Sequence, residues 1–274
     1  MGFDGLRVVA FESRRAAEMA TLIRNQGGEA FVAPSMREAP LEDHRPTFEF
    51  AERLFAGEFD MMIFLTGVGT RALNQLLATR YPEKQFAEAL RQIAVAARGP
   101  KPVAALREMG VPVAVTAPEP NTWRELLQAM KDRPERRLAV QEYGRPNPEL
   151  LAALRARGAQ VTPVRVYRWA LPHDTAPLRL AVRRLAAGDF DVALFTTAIQ
   201  VPHMMQIASE EGVEAQLKDQ LRSSVVVGSV GPSCSEMLEE YGLPTDISPS
   251  HPKMGFLVKE TAERARQLLR SKRK

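Results

Sequence analysis

The feature of this sequence that most constrains its fold is an internal repeat. The stretch "AVAARGPKPVAALREMGVPVAV", from Ala94, and the stretch "VGSVGPSCSEMLEEYGLPTDI", from Val227, follow one pattern. Each has an apolar run, a Gly-Pro pair, an amphipathic helical segment, and then Gly, an apolar residue and Pro. The two Gly-Pro pairs begin at Gly99 and Gly231, which are 132 positions apart. A pattern that recurs at such a distance indicates two copies of one structural unit.

Two other pairs of segments repeat at nearly the same distance. "LFAGEFDMMIFLT" has its counterpart in "LAAGDFDVALFTT", and the shared Phe59 and Phe190 are 131 positions apart. The segment that begins "LRVVAFESRRAAEMA" at Leu6 has its counterpart in "LAVQEYGRPNPELLA" at Leu138, 132 positions later. Because three separate segments agree, the sequence predicts a duplicated unit of about half the 274-residue chain.

Within each copy, short apolar, β-branched runs alternate with helical patterns. Predicted strands include "LRVVAF", "MMIFLT" and "SVVVGS", and predicted helices include "TRALNQLLATR" and "NPELLAALRARG". This alternation predicts βαβ units with parallel sheets covered on both faces, and hence the α/β class with two similar doubly wound, flavodoxin-like domains. The segments "EAFVAPSMREAPLED" and "VTPVRVYRWALPHD" correspond to each other. The residues alone leave open whether these are tandem linkers or a crossover in which the domains exchange pieces.

Composition narrows the function classes. The net charge is +4, with Lys and Arg scattered among Asp and Glu, so nucleic-acid binding is not expected. No apolar run reaches the roughly 20 residues that cross a bilayer, and "MGFDGLRVVAFES" does not resemble a signal peptide. We therefore expect a cytoplasmic protein without membrane contact. The single cysteine, Cys234, excludes an internal disulfide and a thiolate metal site, and the four His lack ligand spacing, so no metal is expected.

Four strand-to-helix turns carry hydroxyl groups or glycines. Helix N-termini bind carboxylates or phosphates, and in doubly wound sheets the ligand site lies outside the carboxyl ends of the strands. The alternative for any single turn is an ordinary N-cap or tight turn. The doubled arrangement favours an anion-binding cleft. The turns are Thr66–Thr70, Arg98–Lys101, Thr196–Ala198 and Ser229–Ser233.

Familiar catalytic motifs are missing from the sequence. "TGVGTRAL" lacks the third glycine of a dinucleotide fingerprint, and neither a P-loop nor a G-x-S-x-G elbow is present. Cys234 lies near a predicted helix N-terminus, which could activate its thiol, but a small, partly buried residue is the favoured interpretation. Tyr167, in "VRVYRWALP", and Lys253 and Gly255, in "SPSHPKMGFLVKE", are placed where they could face a cleft or an anion.

Taken together, these segments resemble the uroporphyrinogen-III synthase family over nearly the whole chain. The resemblance is carried by "FLTGVGT", "FTTAIQV", "GPSCSEMLEEYGLP", "VYRW" and "HPKMG", in this order. It departs at Pro102, where Thr is frequent, at Ser233 and Cys234, where two Thr are common, and at Ile199-Gln200, where Ser or Asn followed by Gly is usual.

The resemblance implies a fold and a reaction. It implies a discontinuous domain of residues 1–36 and 171–274, a second domain of residues 41–163, and a two-stranded connector of residues 30–40 and 161–171, with the ligand cleft between the domains. The implied reaction needs no cofactor. The linear tetrapyrrole hydroxymethylbilane loses water and closes through a spiro intermediate, which inverts ring D and gives uroporphyrinogen III.

The resemblance and the turns together give the candidate site. Tyr167 is the predicted catalytic residue, whose hydroxyl assists loss of the hydroxymethyl oxygen. The substrate carries eight carboxylates, which suits a cleft of N–H dipoles and scattered cations. The predicted substrate-binding residues are Arg14, Thr66, Gly67, Arg98, Gly99, Thr196, Thr197, Ser229, Gly231, Ser233, Cys234, Lys253 and Gly255.

Partners and alternatives follow from the same resemblance. Hydroxymethylbilane is the expected small-molecule partner, the upstream hydroxymethylbilane synthase is a candidate protein partner, and a monomer is the default expectation. One alternative is a non-catalytic tetrapyrrole-binding or regulatory protein of the same fold. Against a DNA-binding regulator, the chain ends soon after the last predicted helix, at "RSKRK". A second alternative is a binding protein of periplasmic type, which the missing signal sequence disfavours.

Overall fold

The chain forms two compact units in a computed structural model, which describes residues 2–142, 144 and 146–273. Unit 1 comprises residues 1–37 and 170–274, and unit 2 comprises residues 38–169. The strands are β1 (Arg7–Ala10), β2 (Glu29–Val32), β3 (Arg37–Pro40), β4 (Met61–Phe64), β5 (Ala94–Ala97), β6 (Val115–Thr116), β7 (Arg137–Gln141), β8 (Gln160–Val164), β9 (Tyr167–Ala170), β10 (Val192–Phe195) and β11 (Val226–Ser229).

Helices follow most of these strands, as the alternating pattern predicts. They are α1 (Ala16–Asn25), α2 (Arg45–Phe55), α3 (Gly67–Ala78), α4 (Gln85–Leu90), α5 (Pro100–Glu108), α6 (Trp123–Ala129), α7 (Pro148–Ala156), α8 (Ala176–Ala186), α9 (Gln200–Glu210), α10 (Glu214–Ser223), α11 (Pro232–Glu240) and α12 (Met254–Lys272). Within the described residues, no helix combines the length and apolar character that a membrane span requires.

Unit 1 contains a parallel sheet with the strand order β11-β10-β1-β2, extended by a parallel bridge between Gly228 and Ile247. Successive strand residues point to opposite faces, because side chains alternate along a strand. Val9 lies in the apolar cluster that contains α8 and α9, whereas Val8 lies in the cluster that contains α1 and α12. The sheet is therefore buried on both faces.

Unit 2 contains a parallel sheet with the strand order β6-β5-β4-β7-β8. Met62 packs on one face with α2, α3 and α4, and Met61 packs on the other with α6 and α7. Both units thus have the doubly wound parallel sheet that the sequence predicts, and the predicted fold class is confirmed.

The two sheets have the same spatial order, but their strands come from exchanged parts of the repeat. Unit 1 joins β1 and β2, from the first copy, to β10 and β11, from the second. Unit 2 joins β4, β5 and β6, from the first copy, to β7 and β8, from the second. The alternative of a crossover, which the residues left open, is therefore the observed one.

The connecting segments differ in part from the prediction. β3 and β9 form a separate two-stranded sheet. Residues 30–32 and 161–164, which we predicted as connector, belong instead to β2 and β8, because their backbone groups pair with β1 and β7. The predicted strand "QVTPVRVY" is accordingly divided between β8 and β9.

Helix α10 was not predicted from the sequence. Its segment "EAQLKDQLRS" is mostly polar, and only two of its residues, Leu217 and Leu221, are buried. Leucines four residues apart occupy one helix face, which is enough to fix the helix against the core of unit 1 but too few to give a clear periodic signal.

Candidate functional site

The carboxyl edge of the unit 2 sheet brings two predicted residues together. Thr66 follows β4 and caps α3, where its Oγ1 accepts a hydrogen bond from the Gly69 N–H at 3.0 Å. The Tyr167 hydroxyl lies 3.3 Å from the same Thr66 Oγ1. The Tyr167 side chain is buried, and its ring contacts the Trp169 ring edge-on with centroids 5.2 Å apart. The hydroxyl of Tyr167 is thus held at the strand end where the ligand of such a sheet binds.

Gln141 is a component of this edge that the sequence analysis missed. Its side chain is fully buried at the end of β7, and its Oε1 accepts a hydrogen bond from the Thr66 N–H at 3.3 Å. Its Nε2 donates to the carbonyl of Glu142. A Cβ at Gly69 would lie 2.1 Å from that Nε2, so glycine is required there for the amide to fit. Gln141 therefore fixes the turn that carries Thr66.

The next residue, Glu142, is a buried carboxylate with charged and neutral donors. Its side chain is 1% exposed, and its Oε2 accepts from Arg165 Nε at 2.7 Å. Its Oε1 accepts from the Asn147 N–H at 3.2 Å, and Asn147 in turn caps α7. A buried charge needs such partners to offset its lost hydration. The ion pair between Glu142 and Arg165 holds Arg165, two residues before Tyr167, against the end of β7.

The carboxyl edge of the unit 1 sheet carries a second hydroxyl network. The Thr196 hydroxyl donates to the Glu12 carboxylate, and the Thr196 N–H donates to Gln200 Oε1 at 2.7 Å. Gln200 Nε2 donates back to Thr196 Oγ1 at 2.9 Å, and the Thr197 N–H approaches Gln200 Oε1 at 3.4 Å. The amide of Gln200 therefore fixes the backbone and hydroxyl of Thr196 and the backbone N–H of Thr197, both predicted binding residues.

Glu12 was missed by the sequence analysis, although the repeat contains the signal that identifies it. Val8 pairs with Val192 in unit 1, and Leu138 pairs with Met61 in unit 2. These registers align "RVVAFE" with "RLAVQE", so Glu12 and Glu142 occupy the same position after equivalent strands.

The other oxygen of Glu12 orders the start of the following segment. Glu12 Oε1 accepts hydrogen bonds from the backbone N–H groups of Arg14 and Arg15, at 3.0 and 3.1 Å. The side chain of Arg14, a predicted binding residue, is exposed. Glu12 therefore connects the backbone at Arg14 to the hydroxyl of Thr196.

The two Gly-Pro turns are built alike. Gly99 and Gly231 precede α5 and α11 in an extended conformation, with φ of 175° and 168°. A Cβ at Gly99 would lie 2.9 Å from Asn121 Oδ1, and one at Gly231 would lie 3.2 Å from Pro252 Cβ. In each unit, glycine lets the loop before the next helix approach the turn, which explains why the Gly-Pro pair is repeated.

The remaining predicted residues differ in what they present to a ligand. Ser229 is fully buried, and its hydroxyl donates to the Gly231 carbonyl at 3.1 Å and accepts from Ser235 at 2.9 Å. Ser233 is exposed at the start of α11. Gly67 is buried, Arg98 is partly buried, and Lys253 and Gly255 are exposed at the start of α12. No group of three or more His, Cys, Asp or Glu in the described part of the chain could hold a metal ion.

Cys234 packs into the apolar core of unit 1, so its thiol does not face a ligand as our site prediction required. Burial raises its pKa to about 11. A thiol with that pKa is ionised to roughly one part in a thousand at pH 8. We expect a thiol-reactive dye at pH 8 to label the native protein at least 100-fold more slowly than the urea-unfolded chain. Equal labelling rates in the two states would contradict the burial.

His203 is buried on α9, and its Nδ1 lies 2.7 Å from the Ser35 carbonyl. Burial lowers the pKa of His203 below its ordinary value of 6.5. The unfolded chain therefore binds a proton more readily, and we expect this histidine's contribution to the free energy of unfolding to be complete above about pH 7 and to fall below about pH 6.5. Urea unfolding at pH 7.5 and 5.5 should show a smaller pH-dependent loss for His203→Asn than for the wild type. The exposed-histidine variant His173→Asn should retain the wild-type loss.

The geometry defines the class of this protein. It has two doubly wound α/β units, and each unit has a network of hydroxyl, amide and carboxylate groups at the carboxyl edge of its sheet. The family model described as uroporphyrinogen-III synthase HemD matches residues 17–259. The chain belongs to the uroporphyrinogen-III synthase family.

The structures and sequences of similar proteins agree with the assignment to this family. A structure of a mutant uroporphyrinogen III synthase from the extremely thermophilic bacterium Thermus thermophilus is 26% identical, with a TM-score of 0.72 over 96% of this chain and 100% of that one. A uroporphyrinogen-III synthetase from Helicobacter pylori, 17% identical, shares the fold with a TM-score of 0.51 over 93% and 98% of the two chains. The uncharacterized protein YjjA of Bacillus subtilis is 30% identical over 96% of this chain and 97% of its own length.

Proposed function

We propose that this protein is a uroporphyrinogen-III synthase, a lyase that converts hydroxymethylbilane to uroporphyrinogen III with inversion of ring D. The observation that carries the proposal is the contact between the hydroxyls of Tyr167 and Thr66, 3.3 Å apart, at the carboxyl edge of a doubly wound sheet. The membership of the family supports it.

The proposed reaction begins with cleavage of the bond between carbon and the hydroxyl of the hydroxymethyl group. The hydroxyl leaves as water and takes up one proton, and the electron pair of the first pyrrole stabilises the cation that remains. We assign Tyr167 as the hydroxyl that assists this departure by donating a hydrogen bond to the leaving oxygen. Thr66 Oγ1 is positioned to fix the orientation of the tyrosine hydroxyl.

The second stage needs positioning more than acid–base chemistry. The substituted carbon of ring D attacks the cation and forms the spiro intermediate. The bond from that carbon to the methylene that joins it to the neighbouring ring then breaks, and the methylene bonds instead to the unsubstituted α-carbon of ring D. Loss of the proton from this α-carbon restores aromaticity and leaves ring D inverted. The pyrroles supply the nucleophile, so the protein's task is to hold the reacting carbons close together.

The substrate's carboxylates suit the exposed residues at these edges. Arg14 and Lys253 are exposed cations beside the turns of unit 1, and Ser233 is an exposed hydroxyl at the first turn of α11. Charge-assisted hydrogen bonds to carboxylates are stronger than neutral ones, which makes these residues candidates for binding acetate and propionate groups. The upstream synthase that produces the linear tetrapyrrole is the proposed source of the substrate.

A coupled assay tests the proposal. Hydroxymethylbilane is generated by its deaminase, this protein is added, and the oxidised porphyrin isomers are separated by chromatography. Isomer III is expected with the protein and isomer I without it. Isomer I alone, from protein shown to be folded by circular dichroism, would refute the enzymatic activity and would favour a non-catalytic tetrapyrrole-binding or regulatory protein.

A further inference from the structure

Each unit buries one glutamine amide at the turn that follows β4 or β10. In unit 2, Gln141 Oε1 accepts from the Thr66 N–H at 3.3 Å. In unit 1, Gln200 Oε1 accepts from the Thr196 N–H at 2.7 Å and from the Thr197 N–H at 3.4 Å. Thr66 and Thr197 correspond in the repeat, 131 positions apart. Both glutamine side chains are fully buried, and a buried amide depends on such hydrogen bonds to offset its lost hydration.

The two glutamines come from different positions of the repeat. The alignment of "RVVAFE" with "RLAVQE" places Phe11 at the position of Gln141. The strand registers also place Gly69 of α3 at the position of Gln200, the first residue of α9. Unit 2 thus supplies its amide from β7 and has a glycine on the following helix, whereas unit 1 supplies its amide from the helix and has a phenylalanine after β1. The exchange keeps an amide oxygen on the same N–H group of the turn in both units.

Gln141 contacts both residues that form the cap of α3. Its Oε1 accepts from the Thr66 N–H, and its Nε2 occupies the space that a Cβ on Gly69 would need. Thr66 and Gly69 also bond to each other, because Thr66 Oγ1 accepts from the Gly69 N–H at 3.0 Å. On its far side, Gln141 Nε2 donates to the carbonyl of Glu142. Gln141 therefore fixes the backbone of Thr66 and the group that orients its hydroxyl.

The direction of the next hydrogen bond follows from the role assigned to Tyr167. Its hydroxyl has one proton, which goes to the leaving oxygen of the substrate, so the 3.3 Å contact with Thr66 Oγ1 is donated by the threonine. Thr66 can donate this bond because its Oγ1 accepts from Gly69 through a lone pair and keeps its own proton. Hydrogen bonds in such a chain strengthen one another, so the placement of Thr66 sets how well Tyr167 donates.

We propose that Gln141 is a positioning residue of the site: it holds Thr66 so that the threonine hydroxyl donates to Tyr167. The effect on catalysis rests on the function proposed above. The unit 1 turn is an internal comparison, since Gln200 fixes it in a similar way but a hydroxyl of that turn donates to a carboxylate.

Steady-state kinetics in two backgrounds test this role. Gln141→Met has a similar volume and removes both hydrogen bonds of the amide. It should lower kcat for isomer III by about 10-fold and change KM by less than about twofold. In the Tyr167→Phe background the same substitution should lower kcat by less than about twofold, because no hydroxyl remains to be oriented. Leu90→Val, in the buried apolar core of unit 2, is the control that loses stability and keeps kcat.

Equal fold losses of kcat in the two backgrounds, or undiminished kcat in Gln141→Met, would overturn the proposal. Gln141→Asn provides the same comparison if Gln141→Met does not fold, because its amide is one methylene too short to keep the bond to the Thr66 N–H.

NMR spectroscopy gives a readout that needs no activity. The chain has four tyrosines, so labelling their Cζ atoms with ¹³C gives few signals, and Tyr167→Phe identifies the signal of Tyr167. This signal reports the hydrogen bonding of the hydroxyl. It should shift in Gln141→Met and keep its wild-type position in Gln200→Met. An unmoved signal in Gln141→Met would refute the positioning role. If the wild type forms no isomer III, the proposed function fails, and the NMR comparison still decides whether Gln141 orients Tyr167.

Discussion

Replacement of Tyr167 by phenylalanine is expected to lower kcat for uroporphyrinogen III formation by about 100-fold, the lower range for loss of a positioned proton donor. The substitution removes one hydroxyl, 3.3 Å from Thr66 Oγ1, and leaves the ring packed against Trp169. KM should change little, because the assisting hydrogen bond strengthens as the leaving oxygen gains charge. Steady-state rates of isomer III formation, with hydroxymethylbilane supplied in the coupled assay, measure both constants.

Stability and a matched tyrosine provide the controls for this prediction. Thr66 Oγ1 keeps its hydrogen bond from Gly69, so the free energy of unfolding of Tyr167→Phe should fall by only about 1 kcal/mol. Tyr81→Phe removes the same atom from a tyrosine that bonds Glu52 on the exposed surface, and it should keep wild-type kcat. A Tyr167→Phe enzyme with undiminished kcat would exclude the catalytic role of this residue.

Gly69→Ala is expected to cost about 2 to 4 kcal/mol of unfolding free energy, the combined effect of overpacking and a lost hydrogen bond. Alanine would ordinarily stabilise a helix by about 1 kcal/mol over glycine. Here the added Cβ would lie 2.1 Å from Gln141 Nε2. The amide is fully buried and bonded at both ends, to Thr66 and Glu142, so it has no room to move. Urea denaturation followed by circular dichroism measures the change.

A double-mutant cycle shows whether this clash is the cause. Gln141→Ala removes the amide that the new Cβ meets, so the double variant Gly69→Ala/Gln141→Ala should be more stable than the sum of the two single losses predicts. Gly255→Ala is the matched glycine control for stability, since nothing lies within 4 Å of its Cβ position, and it should lose no stability. Strict additivity in the cycle would assign the cost of Gly69→Ala to another contact.

The duplicated sequence carried most of what could be predicted about the edges of the sheets. The turns after β4, β5, β10 and β11 were identified because glycine, threonine and serine there follow apolar runs directly. Glu12 and Glu142 were missed, although "RVVAFE" and "RLAVQE" have the same length and both begin with arginine and end with glutamate. Matching Leu6 with Leu138 places the two copies two positions out of step, and only the strand registers give the correct alignment.

The side-chain networks could not be derived in the same way. Cys234 illustrates the difference: its position near a helix N-terminus is visible in the sequence, but its burial depends on which face of α11 packs on the core. Gln141 and Gln200 are polar residues at the end of a strand and the start of a helix, where a solvated side chain would be unremarkable. Their full burial, with amides bonded to Thr66 and Thr196, appears only when the turns are assembled.

The sequence by itself determined that this protein is a duplicated α/β chain with hydroxyl-bearing or glycine-bearing strand-to-helix turns, because hydrophobic periodicity and turn residues are local properties that each copy of the repeat shows independently. Only the tertiary structure decided that the copies exchange their strands. It also decided that Thr66 meets Gln141, and Thr196 meets Glu12, across 75 and 184 positions of the chain. The physical reason is that a periodic pattern shows which face of an element is buried but not which element covers it.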